Sequence, residues 1–96
     1  MKIELNKNES ELCLAIEGRL DTVTAPELES LLRENCKEAS SLTIDCKDLI
    51  YVSSAGLRVL LTAHKKMKGA MKLKNVSELV MEVFEMTGFV DILVIE

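Results

Sequence analysis

The chain is 96 residues long, 48% apolar and 3% aromatic, with a formal net charge of −4. That length holds one core and no second one, so residues 1–96 read as a single domain, burying roughly 65% of its unfolded surface. The scarce aromatics, Tyr51, Phe84 and Phe89, exclude a stacking platform for single-stranded nucleic acid, and the acidic balance argues against a binder of the phosphate backbone.

Met1 to Leu5 alternates, with Ile3 and Leu5 on one side, as a half-buried strand does. Asn6–Ser10 is polar turn material. Leu12, Leu14 and Ile16 alternate again, so the two segments are expected to pair as an antiparallel hairpin. Gly18-Arg19-Leu20-Asp21-Thr22-Val23 reads as a loop. It leads to Thr24-Ala25-Pro26-Glu27, the pattern of a capping box with Pro26 in the first turn. Leu28, Leu31, Leu32 and Cys36 then recur at helical spacing, and this helix is expected to end near Lys37.

Leu42, Ile44 and Cys46 predict a third strand, with Leu49 to Ser54 as the loop after it. The small residues of Ser53-Ser54-Ala55-Gly56 suit a sharp entry into a second helix running to about Lys68, with Ser53 or Ser54 as N-cap. At about 100° per residue, Leu57, Leu60, Leu61, His64 and Met67 share one face, and Arg58, Lys65 and Lys68 the opposite one. Gly69 suits the left-handed residue after the helix. Ala70–Lys74 is a short strand. Asn75-Val76-Ser77 opens a third helix carrying Leu79, Val80, Val83, Phe84 and Met86, with Gly88 closing it, and Ile92–Ile95 is expected as a buried last strand.

The fold class is therefore α/β, in the order β-β-α-β-α-β-α-β: a mixed, mostly parallel sheet covered by helices. Ligand sites in such sheets gather at the carboxyl ends of the strands. There Arg19–Thr24 and Leu49–Ser54 should meet, beside a helix N-terminus that favours anions.

The residues offer little to an enzyme. A G-x-S-x-G elbow around Ser54 lacks its leading glycine, since Val52 stands there. The single histidine, His64, lies ten residues along the same helix, about 15 Å away, too far for a Ser–His pair. It reads as a packed core histidine. Gly18, Gly56, Gly69 and Gly88 are isolated and form no phosphate-binding loop. Asp21, Asp45 and Asp48 form no fixed catalytic pair. Cys13, Cys36 and Cys46 lack metal-ligand spacing and read as reduced, packed thiols, so no metal or cofactor is expected. The N-terminus lacks the apolar core of a secretory signal and no run is long enough to insert into a membrane, so a cytoplasmic protein is expected.

Asp48-Leu49-Ile50-Tyr51-Val52-Ser53-Ser54-Ala55-Gly56-Leu57 resembles the signature of STAS domains, the anti-sigma factor antagonists of bacteria. Glu17–Ala25 is similar to that family's G-x-L-D loop, and Val76–Phe89 resembles its final helix and turn, so the resemblance spans essentially the whole chain. It implies a single STAS domain acting as a binding module and not as an enzyme: an anti-anti-sigma factor that switches partners under phosphorylation. The implied partners are an anti-sigma factor that is itself a serine kinase, and a serine phosphatase that resets the switch, without nucleic acid. By position the phosphorylated residue is Ser54, with Ser53 as runner-up. Ser53 replaces the family's usual acidic residue, removing a fixed charge and adding an acceptor hydroxyl. The implied partner surface comprises Arg19, Asp21, Thr22, Thr24, Ser53, Ser54, Gly56 and Arg58. Two alternatives are a STAS subunit of an ABC-type membrane transporter, docking on its ATPase, and, from another class, a small serine hydrolase.

Overall fold

The computed structural model describes residues 1–96. In chain order it comprises β1 (Lys2–Asn8), β2 (Glu11–Leu20), α1 (Ala25–Asn35), β3 (Ser41–Val52), α2 (Ser54–Lys66), β4 (Met71–Lys74), α3 (Glu78–Thr87), a 3-10 turn (Phe89–Asp91) and β5 (Val94–Ile95). This is the expected order. The strands form one sheet, β1-β2-β3-β4-β5, antiparallel at β1–β2 and parallel elsewhere. From β2 onward each crossover steps one strand in the same direction. Right-handed crossovers then put all three helices on one face. Burial agrees: Leu12, Leu14, Ile16, Leu42, Ile44, Met71 and Leu73 are buried, whereas Cys13, Glu17 and Lys72 of the opposite face are exposed. The helices therefore cover one side of the sheet only. Phe84, Leu28 and Leu60 complete a core that holds no charged side chain, its one thiol, Cys46, donating to Ile44 O at 3.8 Å.

The first three strands run past their expected limits. β1 continues to Asn8, and the register Asn8↔Glu11 leaves only Glu9-Ser10 as the turn, with Glu9 at φ +57. As an edge strand it stays mostly exposed, Leu5 included. β2 runs through Gly18 to Leu20 and β3 through Leu49 to Val52, where loops were expected. The reason lies in two irregularities of the parallel pairing. Ala15↔Asp45 is followed by Glu17↔Asp48, and Gly18↔Leu49 by Arg19↔Tyr51, so β3 carries an extra residue at each point. Its buried positions accordingly step from Cys46 to Leu49 and from Leu49 to Val52. A bulge breaks the two-residue period without ending the strand.

α2 buries Val59 and Ala63 besides the expected Leu57, Leu60 and Met67, while Leu61 and His64 are half-buried. It closes through two left-handed residues, Lys68 (φ +54) and Gly69 (φ +87), with the Gly69 N–H donating to His64 O. α3 buries Val80 and Phe84, while Leu79 and Met86 point to solvent. The last strand is also shorter and less buried than expected. Phe89–Asp91 winds into the 3-10 turn, and Ile92 and Val94 are about half exposed while Leu93 is buried. β5 pairs only with β4 and lies at the sheet edge, so little covers it.

Candidate functional site

β2 and β3 finish side by side. Arg19 pairs with Tyr51 and Leu20 with Val52, and the Ser53 N–H donates to Leu20 O at 2.9 Å. The chain then turns at once into α2. A Cβ on Gly56 would lie 2.7 Å from Leu20 Cγ and 2.9 Å from Leu20 O, so only glycine lets the first helical turn rest on the end of β2.

The two serines have different tasks. Ser53 is the N-cap, with extended backbone (φ −93, ψ 176) and Oγ accepting from the Gly56 N–H at 3.4 Å. It is half-buried. Ser54 is the first helical residue and is exposed. Its hydroxyl has no part in the cap. At this position the backbone N–H groups of the first turn have no partner within the helix, and the dipole favours an anion.

Facing this turn, residues 21–24 form a second tight corner. Asp21 Oδ1 accepts from the Val23 N–H at 3.0 Å and the Thr24 N–H at 3.1 Å. Thr24 Oγ1 accepts from the Asp21 N–H at 2.9 Å and donates to Arg19 O at 2.7 Å. The expected capping box at Thr24 is therefore not formed: Thr24 already has helical backbone angles, its hydroxyl is turned back onto the loop, and its side chain caps nothing. Asp21 closes the turn instead. The Thr24 N–H beside its carboxyl, then the Val23 N–H, the Thr24 hydroxyl and the Arg19 charge, hold it below the usual carboxylate range against a smaller opposing effect of burial. Arg19 spans the two segments. Its Nε is 3.8 Å from Asp21 Oδ2, and its guanidinium lies 4.2 Å from the centroid of the Tyr51 ring.

The structure thus brings Arg19, Asp21 and Thr24 to the same end of the sheet as Ser53, Ser54 and Gly56. Thr22 is exposed within the corner, and Arg58 is exposed one helical turn beyond Ser54 and engaged in no ion pair. Three residues at this end escaped the sequence reading: Val23, 85% exposed, Ile50, 57%, and Tyr51, 39%. Apolar side chains in an expected loop were the available signal, since they bury nothing unless something docks there.

The other candidates lie elsewhere. Asp45 accepts from Asn75 Nδ2 and the Lys47 N–H, each at 3.0 Å; these two bonds, the Asn75 one foremost, hold its carboxyl low against partial burial. His64 and Ser54 stand ten residues apart along α2, about 15 Å, and His64 Nδ1 is buried without a partner. Burial pushes the Cys46 thiol up to about 12 and raises that of Cys36, while Cys13 is exposed. No cluster of His, Cys, Asp and Glu has the makings of a metal site.

The family model of the STAS domain matches residues 2–96. The chain is 33% identical over 96 residues to the anti-sigma-B factor antagonist of Bacillus subtilis, covering 97% of this chain and 88% of that protein. Among solved structures, an anti-sigma factor antagonist from Mycobacterium paratuberculosis superposes with a TM-score of 0.87 at 18% identity, covering 98% of this chain and 83% of that one. The Bacillus cell fate determinant SpoIIAA in its phosphorylated form superposes with a TM-score of 0.75 at 14% identity, covering 99% and 91%.

Proposed function

The chain belongs to the STAS domain family, and from that premise we propose that it is an anti-sigma factor antagonist whose hold on its partner is released by phosphorylation of Ser54. One observation carries the choice of residue. Ser53 is occupied as the N-cap, while Ser54 stands exposed at the first position of α2. A kinase needs a hydroxyl that can be reached without dismantling the fold. Ser54 supplies it and Ser53 does not.

Phosphorylation adds about −1.5 to −2 charges at a helix N-terminus, which the dipole and the free N–H groups accommodate. Arg58, four residues on, lies on the same side of the helix and is free to pair with the phosphate. The domain therefore stays folded, and the effect falls on the partner. A charged, hydrated group replaces a small hydroxyl at the end of the sheet that also exposes Val23, Ile50 and Tyr51, and a partner docking there must then desolvate it. Arg19, Asp21, Thr22, Thr24 and Gly56 give the docking surface its shape. The partner is an anti-sigma factor that is also the serine kinase, and a serine phosphatase resets the switch. The site acts by binding and not by turnover, because Ser54 has no base within reach. No helix is long and apolar enough to cross a membrane, in keeping with a cytoplasmic regulator.

The test is mass spectrometry of the protein from its own cells. Trypsin releases Asp48–Arg58, which holds both serines, and fragmentation separates them. One phosphate on Ser54 is expected. A phosphate confined to Ser53, or none under conditions that switch the regulon, contradicts the assignment.

A further inference from the structure

The charges of this chain are unevenly placed. All twelve Lys and Arg precede Asn75, where eleven acids balance them to within one charge. The other five acids, Glu78, Glu82, Glu85, Asp91 and Glu96, follow it, with no Lys or Arg among them. Only Glu96 is paired, to Lys72 at 3.2 Å. The whole net charge of the molecule thus sits on its last quarter, and three of these acids line α3.

The same helix exposes apolar side chains that the core does not use. Leu79 is 64% and Met86 87% exposed, and Val83, half-buried, lies between them. Residues 79, 83 and 86 have the four-three spacing of a helix seam, about 10 Å from end to end. One exposed Leu or Met needs no explanation, but two of them in register on one helix face form a stripe. Glu78, Glu82 and Glu85 are exposed alongside it.

We propose that the outer face of α3 is a second docking surface, for a basic amphipathic helix of a protein partner. Leu79, Val83 and Met86 supply the seam, and methionine adapts to a partner side chain more readily than a branched residue. The three glutamates select Lys or Arg at the flanks of the incoming helix. The same charges exclude the other occupants. A second copy approaching through its own α3 would set glutamates against glutamates, and an anionic lipid surface or a nucleic acid would be repelled. This surface belongs to a different part of the chain from Ser54, so it stands whether or not the switch at Ser54 does.

The test uses a synthetic helical peptide of about four turns with a leucine seam and lysine flanks, titrated into the ¹⁵N-labelled full chain. A matched peptide carries glutamate flanks. Saturable binding of the lysine peptide is expected, with amide shifts centred on α3 and the 3-10 turn. Binding should weaken at least tenfold in the Leu79→Gln/Met86→Gln variant, whose circular dichroism should match wild type. It should weaken again when salt is raised to about 0.5 M, where the screening length is only a few Å. The proposal is overturned by absence of saturable binding, by equal binding of the glutamate peptide, or by shifts centred on Val23, Ile50 and Tyr51. It is overturned equally by a wild-type dimer that the double variant abolishes, which would make a second copy the occupant.

Discussion

The carboxyl ends of β2 and β3 and the last quarter of the chain both expose apolar side chains, but they are built differently. At the first, the backbone is tied down at several points: Ser53 to Leu20, Ala25 to Asp21, Val23 and Thr24 to the Asp21 carboxylate. Gly56 is pressed against Leu20 so closely that no other residue fits. Within this frame the exposed Ser54 hydroxyl is left without a structural task. At the second, α3 is fixed by Val80 and Phe84 on its inner side, and its outer side is free of constraint. A switch needs the first arrangement, because a phosphate can report to a partner only from a fixed place. A surface that merely docks needs only the second.

Substitutions should separate the two regions, beginning with the anchor of α3. Phe84 is fully buried, so Phe84→Ala should cost about 3–5 kcal/mol and lower the melting temperature by well over ten degrees. Gly56→Ala should come next, at about 1–3 kcal/mol, because the new Cβ meets backbone as well as side chain of Leu20. It should also disturb partner binding, since it shifts α2 relative to the Asp21 corner. A Gly56→Ala protein with wild-type stability would mean that the frame is softer than described.

The serine pair gives a finer contrast. Ser53→Ala removes the N-cap and should cost about 1 kcal/mol. Ser54→Ala should lie within about 0.5 kcal/mol of wild type, as exposed positions do, yet abolish phosphate incorporation. Denaturant melts of the two variants check this, and the reverse order would transfer the cap to Ser54.

Acid should reach both Asp21 and Asp45. Each carboxyl is held below its unfolded value of about 3.9, so each adds stability that is complete above that pH and is lost as pH falls through the lower, folded value. Melting temperature should therefore fall below about pH 4, and less steeply in Asp21→Asn and Asp45→Asn. An unchanged slope in both variants would place the acid sensitivity elsewhere. The smallest effect concerns thiols. At pH 8 an alkylating reagent should modify Cys13 first, Cys36 slowly and Cys46 only on unfolding, since burial pushes the Cys46 thiol up to about 12. Early loss of Cys46 would reveal local opening of β3.

Much of this was legible in the sequence because local signals agreed with the fold. The alternation of Leu12, Leu14 and Ile16, the small residues around Gly56 and the left-handed glycine at position 88 each mean the same thing in the chain and in the structure. β3 was cut short because its bulges break the two-residue period between Cys46 and Val52, and only pairing with β2 carries the strand across them. Thr24 met the pattern of a capping box, but tertiary placement turned its hydroxyl toward Arg19 O and left the capping to Asp21. α3 is apolar at more positions than one buried stripe can use, and periodicity alone could not say that Leu79 and Met86 would be the surplus. At the site, the residues brought together were legible from the loops. The division of labour between Ser53 and Ser54 was not, because either serine could have been the cap.

The central claim is that phosphate on Ser54 changes binding and leaves the fold intact. It is tested most directly by the affinity of the cognate anti-sigma factor for the unmodified chain, for Ser54→Asp and for the chain phosphorylated on Ser54, with circular dichroism recorded on each. A loss of about 3 kcal/mol, more than a hundredfold in Kd, is expected for the phosphorylated form, with Ser54→Asp in the same direction and all three equally folded. Equal affinities in three equally folded proteins would contradict it.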